Sequence, residues 1–133
     1  MDNTIYESFY QLLAQFEILD QFWEDIEYLF NKRRGDKKLI TAFETRLRQL
    51  ADKRERAILL GRSAFELLKK SEGIYSMHVD TNEVNYRVLY SFEKRGTILI
   101  HGFFERGGKR KTNYSTAIPA AQKRLKSWRE NHE

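Results

Sequence analysis

Arg87 stands alone among apolar and aromatic residues in NYRVLYSF, residues 85–92. An isolated buried cation costs several kcal/mol, so this guanidinium is either bridged to an acid on a neighbouring helix or aimed into a concave sheet face as an anion ligand. Further on, ERGGKRKTNY (105–114) gathers Arg106, Lys109, Arg110 and Lys111 around Gly107 and Gly108, with Tyr114 behind them. The glycines let the backbone approach a ligand closely. Such a loop is either solvated surface or a grip for phosphate, which guanidinium groups bind in bidentate fashion. Its spacing to lysine and hydroxyl is not that of a Walker-type loop. His78 lies on a segment whose alternate positions are Ser76 and Asp80, a polar face where an imidazole can move a proton near neutral pH. His101 alternates with Leu99 and Phe103 and reads as core, while His132 sits in the terminal segment. No histidine pair has ligand spacing and there is no HExxH, so neither a metal nor a cofactor is expected. With no cysteine in the chain, thiol nucleophiles and disulfides are excluded.

The elements that must position these groups are legible in the periodicity. Ile5, Phe9, Leu12, Leu13 and Phe16, then Phe22, Ile26, Leu29 and Phe30, recur at helical steps. The second set runs into NKRRGDKK, where cations and Gly35 suit a helix end. From Asp36, an N-cap, helical spacing continues through Leu39, Phe43, Leu47, Leu50, Ala51 and Ala57. After Gly61 come three strand candidates, residues 73–79, 84–92 and 97–104, joined by connectors short enough to make them antiparallel neighbours. The last two are apolar at nearly every position and belong inside the sheet with both faces covered. Ile118, Ala121, Leu125 and Trp128 define a basic final helix, and Pro119 in its first turn would set its start near Ser115 or Thr116. The prediction is one α+β domain over residues 1–133, with N-terminal helices packed on a small antiparallel sheet and a C-terminal basic helix.

The charge distribution is polar along the chain. Residues 1–31 hold seven acids and no base, whereas residues 94–129 hold ten bases against Glu105 alone, a balance of +9. The first 31 residues therefore read as a possible acidic helical extension, and the basic half as either a solvated surface or a polyanion-binding one, with Lys123 and Arg124 among its candidate contacts. No apolar segment approaches the roughly 18–20 residues that cross a bilayer, and the first residues carry acids where a secretory leader carries bases, so a cytoplasmic, membrane-free location is expected.

The succession GIYSMHV, NYRVLYSF, TILIHGFF, the basic GKRKTNY loop and a helix ending AAQKRLKSW resembles the RelE/ParE toxin superfamily, and within it the HigB-like, phage-derived host-killing branch. The likeness covers roughly residues 58–130, with YRVLY and HGF its most specific points and the middle helix in the position of the family's helical hairpin. It implies a toxin of a type II toxin-antitoxin system: a metal-independent endoribonuclease that cleaves messenger RNA, usually on the ribosome, restrained by a cognate antitoxin, here a helix-turn-helix protein. By motif, Arg87 corresponds to the arginine contacting the scissile phosphate, Arg110 with Lys109 and Lys111 to the basic residues after the last strand, and Tyr114 to a tyrosine near the start of the last helix. Ser76 departs from the lysine or histidine of various members and leaves the general base open, and Asn113 stands where the branch commonly has proline.

The corresponding chemistry is attack of the RNA 2′-hydroxyl on the adjacent phosphorus with expulsion of the 5′-oxygen, which requires charge stabilisation and two proton movements. Arg87 and Arg110 fit the first task and His78 or Tyr114 the second, provided that neighbouring cations depress the phenol. Arg106, Lys109, Lys111, Lys123 and Arg124 would bind the substrate strand. Two alternatives stand beside it: a ParE-like, non-catalytic inhibitor of DNA gyrase, and a non-catalytic nucleic-acid-binding module working through the terminal helix.

Overall fold

The computed structural model describes residues 4–107 and 110–132. Helix α1 (Thr4–Leu13) is followed by a two-residue strand β1 (Glu17–Ile18), helix α2 (Asp20–Lys32) and helix α3 (Lys37–Lys53). The four apolar residues read as a helical stripe in α2, Phe22, Ile26, Leu29 and Phe30, are all buried. Phe9 of α1 stands edge-on to Phe30 and Phe43 at 5.2 and 4.8 Å, which ties the three helices into one layer. Asp36 caps α3 by accepting the Leu39 N–H at 3.1 Å, and its carboxylate is held by Arg33. Gly35 makes the intervening turn at φ +69°, a conformation costly for residues with a Cβ. Helix α3 ends before Ala57, contrary to the longer helix expected. Arg54 turns left-handed at φ 52° and the chain continues as a 3₁₀ segment, Arg54–Leu60, which buries Ala57 by a tighter winding.

Five strands form the sheet: β1, β2 (Phe65–Leu67), β3 (Tyr75–Asp80), β4 (Asn85–Glu93) and β5 (Gly96–Phe104), in the order β1-β5-β4-β3-β2. The three long strands are antiparallel neighbours, as their short connectors required, and β4 and β5 lie inside the sheet. The sheet is mixed rather than purely antiparallel, because β1 pairs parallel to β5 through Glu17 opposite Ile98 and Ile18 opposite Leu99. At two and three residues, β1 and β2 are too short to display an alternating pattern. The acidic opening segment is consequently no appendage: it supplies a strand of the sheet, and Phe9, Leu13, Phe16, Leu19 and Phe22 belong to the shared core.

Side-chain alternation divides the sheet's two faces. Tyr86 packs toward the helical layer, 6.0 Å from Phe43 by ring centroids, so Arg87 must project to the other side together with its cross-strand partners His78 and Phe103. That other side is covered by helix α4 (Arg110–His132), which buries Tyr114, Ala117, Ala121 and Leu125. Helix α4 begins well before Ser115, and Pro119 lies in its interior. An interior proline costs about 3 kcal/mol. The earlier start is compensated by burial of Tyr114, which reaches Ser76 beneath the helix. Among the described residues, no helix is long and apolar enough to cross a membrane.

Candidate active site

Four predicted chemical residues meet at the end of the sheet under the first turns of α4. Arg87 is 5 % exposed, His78 6 % and Tyr114 7 %, while the Arg110 side chain at the start of α4 remains about half exposed. They do not form a cluster of naked positive charge. Arg87 donates from Nη1 to Asp80 Oδ1 and from Nη2 to Glu105 Oε2, both at 2.6 Å, and Arg110 donates from Nη2 to Glu66 Oε1 at 2.6 Å. The acids that bridge Arg87 thus come from the end of β3 and the segment after β5, not from a helix. Glu66 also meets His78 Nε2 at 3.0 Å. Tyr114 Oη lies 2.7 Å from Ser76 Oγ, and the Arg110 guanidinium sits 4.7 Å above the phenol ring. Phe103 stands edge-on to the same ring at 5.6 Å.

The protonation states follow from these contacts. Burial raises the Glu66 pKa, but the bond and charge of Arg110 together with His78 outweigh it, so the carboxyl lies below its ordinary range and is ionised at neutral pH. Burial and the Arg87 charge push His78 below its ordinary value against the opposing pull of Glu66 and Asp80. A neutral imidazole facing an ionised carboxylate must carry its hydrogen on Nε2, so His78 donates to Glu66. Burial raises the Tyr114 pKa more than Ser76, Arg87 and Arg110 lower it. The cation-depressed phenol anticipated from the sequence is therefore not formed; Tyr114 stays protonated and is suited to give a proton rather than take one. Among the described residues, Arg87 Nε and Glu105 Oε1 are buried without a hydrogen-bond partner, so the cluster retains unused donor and acceptor capacity.

The other predicted contacts separate. Arg106 is exposed beside the cluster, its carbonyl accepting from Asn113 Nδ2 at 3.4 Å. Lys109 and the Lys111 side chain lie outside the described residues. Lys123 is exposed but about 20 Å along α4 from Arg110, taking 1.5 Å per residue. Arg124 is unsuited to grip a substrate, because Asp25 Oδ2 and the Ile100 carbonyl hold its Nη1 at 2.6 and 3.0 Å. The same carboxylate accepts the Gly102 N–H at 2.9 Å at the part of β5 that β1 does not cover. Burial raises the Asp25 pKa, but His101, Arg124 and Gly102 together bring it below the ordinary carboxylate range.

Glu66 is the chemical residue the sequence reading missed, along with Glu105 and Asp80 as partners of Arg87. Glu66 sits alone in AFELL (64–68) as Arg87 does in YRVLY, and two solitary charges of opposite sign in apolar runs are a signal that each is paired. Among the described residues, no group of three His, Cys, Asp or Glu side chains is placed to hold a metal ion. Fold and site together define an α+β domain with a buried carboxylate–imidazole pair and two carboxylate-bound guanidiniums on one sheet face. No family model, curated protein or solved structure matches the chain.

Proposed function

We propose that the protein is a metal-independent endoribonuclease acting on messenger RNA in the cytoplasm as the toxin of a toxin-antitoxin pair, with a helix-turn-helix antitoxin as its partner. The nuclease role rests on one observation, the convergence of Glu66, His78, Arg87, Arg110 and Tyr114 in a single cluster. The toxin role rests on the resemblance of the strand and loop motifs. In the resting protein, the two arginines are neutralised by Glu66, Glu105 and Asp80. A scissile phosphate competes for Arg110 and Arg87 with charge-assisted hydrogen bonds of its own. Once Arg110 turns to the phosphate, Glu66 loses the interaction that depresses its pKa and becomes a stronger base. Glu66 then takes the proton of the 2′-hydroxyl as that oxygen bonds to phosphorus. The P–O5′ bond breaks, and the protonated Tyr114 supplies the hydrogen to the departing oxygen. The products are a 2′,3′-cyclic phosphate and a 5′-hydroxyl, and the net proton movement is from 2′-oxygen to 5′-oxygen. The ribosome supplies orientation by holding the message in place.

Glu66→Gln tests this, since it keeps size and the His78 acceptor but removes the base. Induction of the wild-type protein should arrest growth and leave RNA fragments with cyclic-phosphate ends. Glu66→Gln should lower cleavage by about 10²–10⁴-fold with the fold retained by circular dichroism. Growth arrest with altered DNA supercoiling and intact RNA would assign the protein to the gyrase-inhibitor class instead. Unchanged cleavage by Glu66→Gln would remove the proposed base.

A further inference from the structure

NKRRGDKK carries Lys32, Arg33, Arg34, Lys37 and Lys38 against Asp36, more positive charge than a helix terminus calls for. In the structure this turn borders two hollows of about 480 Å³ each that share Lys32, Arg33 and Glu83. One hollow continues over Arg34, Lys38, Thr81 and Asn82; the other runs to Tyr28, Asn85, Phe104 and Glu105. Glu105 is the carboxylate that holds Arg87, so the second hollow borders the candidate active site through this one side chain. Arg33 is committed to Asp36 and Glu83 at 2.7 and 2.6 Å, which fixes the turn, while Lys32, Arg34 and Lys38 are exposed along the groove. Tyr28 is 56 % exposed, stands edge-on to Phe104 at 6.2 Å and has Lys32 Nζ 5.6 Å from its ring centre.

We propose that this groove is the track for the single-stranded RNA flanking the scissile phosphate, with a base stacked on Tyr28 and phosphates on Lys32, Arg34 and Lys38. An exposed aromatic face followed by cations at the spacing of successive helical turns and a turn is the arrangement that takes unpaired nucleotides, since every base has a face to stack and every linkage a charge. The sharing of Glu105 between the second hollow and the Arg87 ion pair favours a strand that runs on toward the site over an acidic protein that docks beside it. The inference rests on the nuclease role for its direction, and the binding measurement is independent of cleavage.

The probe is a fluorescently labelled 12-nucleotide single-stranded RNA of mixed sequence, titrated with the full-length Glu66→Gln protein and followed by anisotropy across a salt series. Adding Lys32→Gln, Arg34→Gln and Lys38→Gln should weaken binding at least tenfold at 0.1 M salt and reduce the slope of log affinity against log salt by about 2, near 0.7 for each lost phosphate contact. Tyr28→Ala should lose about tenfold with the slope unchanged. In an otherwise wild-type background, the same changes should slow cleavage of the 12-mer and spare a dinucleotide too short to reach the groove. Unaltered affinity and slope in the triple variant overturn the track while leaving the nuclease role intact, and so does equally tight, competing binding of a polyglutamate peptide, which marks an acidic-protein surface. No binding of the 12-mer by the starting protein overturns it as well. Groove-dependent binding without cleavage of either the 12-mer or ribosome-bound message by the wild-type protein supports the track and removes the nuclease role.

Discussion

Arg87→Met deletes a guanidinium whose side chain is 6 % exposed and leaves Glu105, at 11 %, with only the half-exposed Arg110 guanidinium 4.0 Å away in place of its close partner. Asp80, at 40 %, recovers solvation and adds little. Breaking a buried pair from one side costs about 3–5 kcal/mol, because the remaining ion keeps its desolvation penalty without its partner. For a chain of this size that corresponds to a Tm lower by about 10–20 °C. Neutralising the orphan in Arg87→Met/Glu105→Gln should restore about 2 kcal/mol or more, measured as the coupling in a double-mutant cycle of urea and thermal unfolding at pH 7. A single variant that loses less than about 1 kcal/mol, or a double variant no more stable than the single, would refute the account of this pair as a buried, mutually dependent one. The double variant also separates holding the fold from handling RNA. If Arg87 grips the scissile phosphate, the stabilised double variant still fails to cleave; retained cleavage restricts Arg87 to a structural role.

Acid sensitivity follows from the shifts of two groups with the same sign. Both Glu66 and His78 have folded values below the ordinary 4.5 and 6.5, so the unfolded chain takes up their protons first. Stability should therefore fall as pH drops below about 6.5 and again below about 4.5, with His78→Gln flattening the upper step and Glu66→Gln the lower, read from Tm against pH. Asp25→Ala strips the acceptor from Arg124 and from the Gly102 N–H, and should cost about 3–5 kcal/mol in denaturant unfolding. Gly102→Ala drives a methyl group into the Tyr86 hydroxyl, which helix α2 packs over, and should cost about 1–3 kcal/mol by the same measurement.

The helices and the three long strands were legible because each buries a full stripe or face, so Phe22 to Phe30 and Val84 to Phe92 carry their period in the letters. What escaped was set by tertiary neighbours. Glu17–Ile18 is a strand only because β5 offers an edge there. Arg110 begins the last helix because Tyr114 finds Ser76, a partner that a local proline rule does not see. The candidate site was half visible for the same reason. Arg87, His78, Arg110 and Tyr114 announced themselves as polar groups in unusual company, but the carboxylates that neutralise them come from separate segments, Glu66 from a three-residue strand and Glu105 from beyond β5. Arg124 looked like a free cation because Asp25, its partner, lies far away in the sequence.

The parallel pairing of β1 with β5 has a consequence for biogenesis. Glu17 waits for Ile98, roughly eighty residues later, before its strand can pair, and loops of that span close slowly. During synthesis, the N-terminal helices emerge with Phe9, Phe22 and Phe30 lacking the sheet they pack against, so the nascent chain exposes an aromatic surface until β5 leaves the ribosome. A truncated product ending before β5 lacks Arg110 and Tyr114 along with the strand that joins β1 to β4. Such a fragment cannot assemble the polar cluster, which needs Arg110 and Tyr114 from the last helix.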